Sequence, residues 1–172
     1  MYRDYAIECV CSHRRERFQL AFARAAAELL PKDDDIAFET TRRGLTVLAE
    51  TELSLERPIE RLRSMYGDEL RIAPPQVRYR QGERTEEPYM GLRLLCAAQH
   101  FETFRRDLLV RGAEIIDSES NQRFGVLRAN APLAVLVGYP AYVREVSQGR
   151  SKLAMWLSHY APVQPPPSGT AA

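Results

Sequence analysis

The side chains of this 172-residue chain with the chemistry to ligate a metal or attack a substrate are three histidines, His13, His100 and His159, and three cysteines, Cys9, Cys11 and Cys96. Their spacing supports neither role. None stands at a zinc-ligand interval from another, and no carboxylate joins a histidine or cysteine at triad spacing. Cys9 and Cys11 point to the same face of an alternating segment, too far apart along it for the usual disulfide, and an odd cysteine count gives no disulfide framework. Buried thiols in a reducing cytoplasm are the expectation. The acidic run Asp33-Asp34-Asp35 lacks the glycine of a calcium loop and reads as a solvated turn, and the Glu86-Glu87 pair falls in a polar connection. The phosphate-cradling pattern G-x-x-x-x-G-K-[ST] occurs nowhere. These residues predict no enzyme, no metal, no cofactor and no bound nucleotide.

Composition narrows the partners. Lysine and arginine number 24 against 23 aspartate and glutamate, and the two halves divided at Thr85 are each close to neutral, so there is no global field to attract nucleic acid. Any contact with RNA must be local, and the predominance of arginine suits bidentate contacts to phosphate. Gln122-Arg123-Phe124-Gly125-Val126 approaches the RNA-binding strand of RRM domains but lacks its first glycine and second aromatic, and is set aside. No apolar run reaches transmembrane length and no signal peptide or lipidation motif is present, so the sequence predicts a cytoplasmic protein with no membrane partner. An apolar content of 45% supplies a core for one medium domain or two small ones of about 80 residues.

The elements that position these residues follow one pattern twice. Tyr2 to Ser12 alternates as a strand, with Ile7, Cys9 and Cys11 on one face. His13 to Leu30 carries Phe18, Phe22, Ala25, Ala26 and Leu29 at helical spacing, and Pro31 stops it. Ile36 to Thr41 and Leu45 to Glu50 read as a hairpin around Arg42-Arg43-Gly44. A helix from about Ser54 to Tyr66 presents Leu55, Ile59, Leu62 and Met65, and Gly67 closes it. Glu69 to Ile72, a Pro74-Pro75 break and Val77 to Arg80 complete the first unit.

Residues 82–87 read as a linker, after which the order recurs. Tyr89 to Gln99 is a strand, His100 to Val110 a helix, and Ala113 to Ser118 with Phe124 to Ala129 a hairpin. Leu133 to Val146 recurs at helical spacing, with Pro140 marking a kink or a second helix start and Gly149 the C-terminal turn. Leu153, Met155 and Leu157 alternate with outward residues in a last strand. Residues 164–172 read as a disordered tail. The repeated βαββαβ unit predicts an α+β protein of two tandem ferredoxin-like domains, 1–81 and 88–163, each an antiparallel four-stranded sheet with two helices on one face.

The segment from Ala131 to Tyr160 also carries four short motifs in a fixed order: Pro132-Leu133-Ala134, Gly138-Tyr139, Ser147-Gln148-Gly149-Arg150 and Ser158-His159-Tyr160. In that order they resemble the end of domain V of the elongation factor G family. Glu87-Pro88 and Arg111-Gly112-Ala113 resemble the start and the first turn of that domain. Thr51 to Glu56, Tyr66-Gly67 and Pro74-Pro75-Gln76-Val77-Arg78-Tyr79-Arg80 resemble domain III of the same family, with Thr51 and Ser54 where the family has glycine and histidine. The family's G domain, domain II and domain IV have no counterpart.

The resemblance implies a non-enzymatic translation-factor-like protein that docks on the ribosome's factor-binding region or an associated partner. It implies contact through Gly138, Tyr139, Gln148, Gly149 and Arg150, with Arg150 placed to meet a phosphate. The alternative is a protein-interaction module, such as a homodimer. It would act through Tyr89, Arg93, Trp156 and Tyr160, an aromatic and arginine cluster of a kind that stacks bases or anchors a protein partner, which strand alternation places on the helix-free face of the second sheet, unless the two domains pack together and bury them.

Overall fold

The computed structural model describes residues 4–164; the expected tail lies, from residue 165 on, outside the described residues, as do Tyr2 and Arg3. The first unit runs β1 (Ile7–His13), α1 (Gln19–Leu29), β2 (Ile36–Thr41), β3 (Gly44–Ala49), α2 (Glu52–Tyr66), a short 3-10 turn, then β4 (Leu70–Ile72) and β5 (Gln76–Val77). Its strands lie in the order β2-β3-β1-β4, all antiparallel. The Pro74-Pro75 break divides the last strand, so that β4 pairs with Cys11 to His13 and β5 with Ile7 and Glu8 of the same neighbour.

The second unit repeats this. After the two-residue β6 (Arg80–Gln81) come β7 (Thr85–Ala97), α3 (Ala98–Val110), β8 (Glu114–Ser120), β9 (Phe124–Pro132), α4 (Leu133–Leu136), α5 (Tyr139–Ser147) and β10 (Lys152–Pro162). The sheet order β10-β7-β9-β8 is the order of the first sheet reflected in the repeat of its elements. The α+β class and the paired ferredoxin-like architecture expected from the sequence are therefore what the chain adopts. The stretch 82–87 is not an open connection. Residues 82–84 turn between β6 and β7, whose first residues pair with Arg80 and Gln81 on one side and with Ala161 and Pro162 on the other.

Each sheet buries one face under its helices. In the second, Met90, Leu92, Leu94 and Cys96 on β7 and Leu127, Ala129 and Ala131 on β9 meet Phe104, Leu108, Leu133, Leu136 and Val143. In the first, Ile7, Cys9 and Cys11 meet Phe22, Ala26, Leu55 and Leu62, and the chain's three cysteines are free, buried thiols.

The first helix departs from expectation. Phe18 is 73% exposed and Leu29 is 55% exposed, while Phe22, Ala23, Ala26 and Leu30 form the buried stripe. Residues 14–18 are not helical because His13 ends β1 and folds the chain locally. Its Nδ1 accepts from the Arg15 and Glu16 amides at 3.2 and 3.1 Å, and Gln19 bonds both the amide and the carbonyl of His13. Gly44 does what the hairpin demands: its φ is 129°, and a Cβ there would stand 2.2 Å from the Cys11 carbonyl oxygen.

Candidate functional site

The expected contact residues lie along one continuous piece of chain, α4 to the start of β10. Its rigidity comes from an arginine that sequence reasoning placed only in a turn. Arg111, just past α3, donates from Nε to the Asp107 carboxylate at 2.7 Å and from its guanidinium to the Val135 carbonyl at 2.9 Å. The same guanidinium lies 5.1 Å over the Tyr139 ring and 5.7 Å from that of Tyr142. Gly138, at φ 82°, breaks α4 from α5, and Pro140 sits in the first turn of α5, where its missing amide hydrogen costs nothing.

Two of the five expected contact residues are occupied elsewhere. Tyr139 is fully buried, and burial, with the Asp107 carboxylate nearby, pushes its phenol well above the usual tyrosine range. Its hydroxyl has no hydrogen-bond partner among the described residues. The Tyr139 side chain is core, and cannot reach a partner from where it stands. The Gly138 amide donates at 2.8 Å to the carboxylate of Glu52, which opens α2 of the first unit. Beside it Arg144 of α5 meets Glu56 of α2 at 2.5 Å. These bonds tie the two units together through α2 and α5. Burial raises the Glu52 carboxyl above its ordinary value, the Gly138 amide opposing and Glu56 reinforcing the shift.

The remaining three form an exposed turn. Among the described residues Gln148 is the only non-glycine with positive φ, at 52°, and Gly149 follows at 74°. The Gly149 and Arg150 amides close back on the Arg144 and Ser147 carbonyls at 2.8 and 3.0 Å, so the turn is fixed and its side chains project. Arg150 is exposed and has no ion-pair partner among the described residues. Beside the turn lies a hollow lined by Arg144, Gly149, Ser151 and Lys152, and the Ser151 hydroxyl, buried, has no partner among the described residues.

The second expected group is divided by a feature that alternation cannot show. The register of β10 against β7 shifts between Leu157 and His159. Ser158 is the extra residue, and beyond it the faces exchange. Tyr160 therefore lies opposite Pro88, on the helix-bearing side with Met90, and its ring receives the Arg80 guanidinium at 3.8 Å. The expectation that Tyr160 emerges on the open face is corrected. His159 takes that place and stacks on Tyr89, with ring centroids 5.1 Å apart and planes 18° from parallel. Tyr89, Arg93 and Trp156 do share the open face. The first unit does not cover it, and Trp156 is 45% exposed.

No group of three or more histidine, cysteine, aspartate or glutamate residues among those described is placed to hold a metal ion. No helix among them is long and apolar enough to cross a membrane.

Comparison with known proteins decides the family. The sequence pattern of the family described as elongation factor G C-terminus matches residues 84–170, half of the chain. The chain belongs to the elongation factor G C-terminus family. Over 79 residues, 45% of this chain and 10% of the relative, it is 40% identical to the mitochondrial ribosome-releasing factor 2 of Culex quinquefasciatus. Over 75 residues it is 33% identical to elongation factor G of Mycoplasma pneumoniae, covering 44% of this chain and 11% of the relative. The chain thus spans about a tenth of the length of the curated relatives it matches. A crystal structure of the Thermus thermophilus protein ttk003000868 superposes with a TM-score of 0.64 over 96% of this chain and 42% of that one. At 16% identity this shows a shared fold for both units.

Within the elongation factor G C-terminus match lie all four motifs of the Ala131 to Tyr160 segment and the Arg111 clamp. The first unit lies outside it. There the two positions that differ from the family's domain III have a structural use: Thr51 caps α2, its Oγ1 accepting from the Ser54 amide at 3.2 Å and lying 3.0 Å from the Ser54 hydroxyl.

Proposed function

We propose that this translation-factor-like chain docks, without catalysis of its own, on the ribosome's factor-binding region. Its first unit and its second, whose sheet also takes in β6 and residues 85–87, act as counterparts of domains III and V of elongation factor G. The observation that carries this is the turn Gln148-Gly149-Arg150. It is held in a backbone conformation that costs a non-glycine residue free energy, and it presents to solvent an arginine with no ion-pair partner among the described residues. Beside it, Arg144, Gly149 and Lys152 line a hollow of suitable chemistry for a phosphate. Tyr139 and Gly138 serve by holding the turn rather than by touching the partner. The names of the relatives, a ribosome-releasing factor and elongation factor G, point to the same partner. The cytoplasm is the compartment this reading favours, although one relative's name is mitochondrial.

The test is sedimentation of the protein with purified ribosomes across a salt series. Pelleting at low salt that weakens as salt rises is expected. Arg150→Ala should lower the affinity about ten-fold, the effect of losing one charge-assisted hydrogen bond. Absence of pelleting at low salt contradicts the proposal.

A further inference from the structure

Arg93 on β7 and Arg128 on β9 stand directly opposite each other on the open face of the second sheet. Both are exposed, and neither has an ion-pair or hydrogen-bond partner among the described residues. Like charges directly opposite in a sheet repel, so the fold bears a cost here that an anion would relieve. Lys152, opposite Leu95, adds a third cation to the same face. Three carboxylates of this face, Glu114, Asp117 and Glu119, fall on β8, the strand at the far edge, and a fourth, Glu87, lies beyond Tyr89 towards the start of β7. Asp117 stands opposite Arg128, yet none of the four is ion-paired to either arginine.

Flat rings continue the face beyond this basic strip, towards the start of β7. The indole of Trp156 lies on Gly91, two residues from Arg93. A Cβ at Gly91 would be 2.4 Å from the indole Nε1, so only glycine lets the ring lie there. Two residues further along, Tyr89 and His159 form the stacked pair. Asn130, opposite Gly91, has a side-chain amide with no partner among the described residues, and with Tyr89 and Pro132 it lines a hollow at that end of the face.

Rings alone would suit another protein surface. A row of rings beside cations that have no partner among the described residues suits a chain that offers flat faces along one edge and phosphates along the other. We infer that the open face of the second sheet binds a segment of single-stranded RNA, its unpaired bases stacking on Trp156 and on the Tyr89–His159 pair while Arg93, Arg128 and Lys152 meet its phosphates. Duplex RNA cannot reach these rings with its base faces, and Asn130 offers a partner to a base edge or a ribose hydroxyl. This inference goes beyond docking through the Arg150 turn, with which this face shares only Lys152, and since Arg93, Arg128 and Trp156 lie outside that turn the two can fail separately.

The test is a titration of the full chain with an oligouridine of about ten nucleotides, read from the fluorescence of Trp156, the chain's single tryptophan. Saturable quenching is expected, with log affinity falling against log salt at a slope of about −2, the sum over three cations at roughly 0.7 each. Arg93→Gln with Arg128→Gln should bring the slope to about −0.7. It should weaken binding more than ten-fold and leave the melting temperature unchanged or higher, since a repulsion is removed. Trp156→Ala, followed with a labelled oligonucleotide, should weaken binding about ten-fold, and Trp156→Phe much less. Arg150→Ala should leave the titration unchanged whether or not it abolishes ribosome binding. The inference is overturned by an absence of quenching at low salt, by quenching that survives the double arginine variant, by equal affinity for DNA of the same length, or by a concentration-dependent dimer that shields Trp156.

Discussion

Tyr139 combines full burial with a hydroxyl that has no partner among the described residues, and such a group costs free energy to desolvate. Tyr139→Phe should therefore stabilise the protein by about 1 kcal/mol in urea melts and leave ribosome pelleting unchanged; a loss of stability would mean the hydroxyl is bonded. Gln148 carries the opposite trade. Its positive φ is cheap only for glycine, so Gln148→Gly should raise stability by up to about 1 kcal/mol while weakening ribosome pelleting, if the side chain is a contact. Equal pelleting would remove Gln148 from the docking turn. At this scale the residue types are an uneven guide. The glycine-tyrosine motif is visible in the sequence, but nothing in residue types separates a tyrosine that reaches out from one that packs in; that depends on where Arg111 and α3 come to lie. Tyr160 falls on the other face from the one alternation assigns because a single extra residue in a strand leaves no mark on hydrophobic periodicity.

At the level of elements, periodicity is a good guide wherever one face is buried. The hairpin β2–β3, the stripe of α2 and the inward series Leu153, Met155, Leu157 all stand as their spacing predicts. A second helix does start beside Pro140, at Tyr139, because proline is tolerated only in the first turn. Periodicity fails for α1, where alanines and an exposed Phe18 make several stripes equally plausible and local bonds from His13 decide the start. The relation between β7 and β10 leads to a further expectation. Gly91→Ala would push the indole of Trp156 off the sheet. The tryptophan emission maximum should move to the red, with little change in stability because the displaced ring is already half exposed. An unchanged maximum would show that the indole does not lie over Gly91.

The whole molecule is two copies of one fold, and the Glu52–Gly138 and Glu56–Arg144 bonds are polar ones that join them between α2 and α5. That arrangement is not legible in the sequence, since neither partner of either bond lies near the other in the chain. Its pH dependence follows from Glu52. A carboxyl whose folded value is raised binds its proton more tightly in the folded state. Its contribution is therefore largest below the ordinary value of 4.5, declines as pH rises through the raised value, and is level above it. Glu52→Gln should remove that part of the decline, seen as a flatter stability curve from pH 4.5 upward in denaturant melts. A curve parallel to that of the unmodified protein would place the titration elsewhere. The central claim concerns the assembled pair of units acting as a factor, and competition tests it most directly. The protein is bound to ribosomes at low salt and full-length elongation factor G is added in increasing amounts. If the pair occupies the factor-binding region, the factor should displace it stoichiometrically into the supernatant; if the protein remains pelleted while the factor binds beside it, the claim is contradicted.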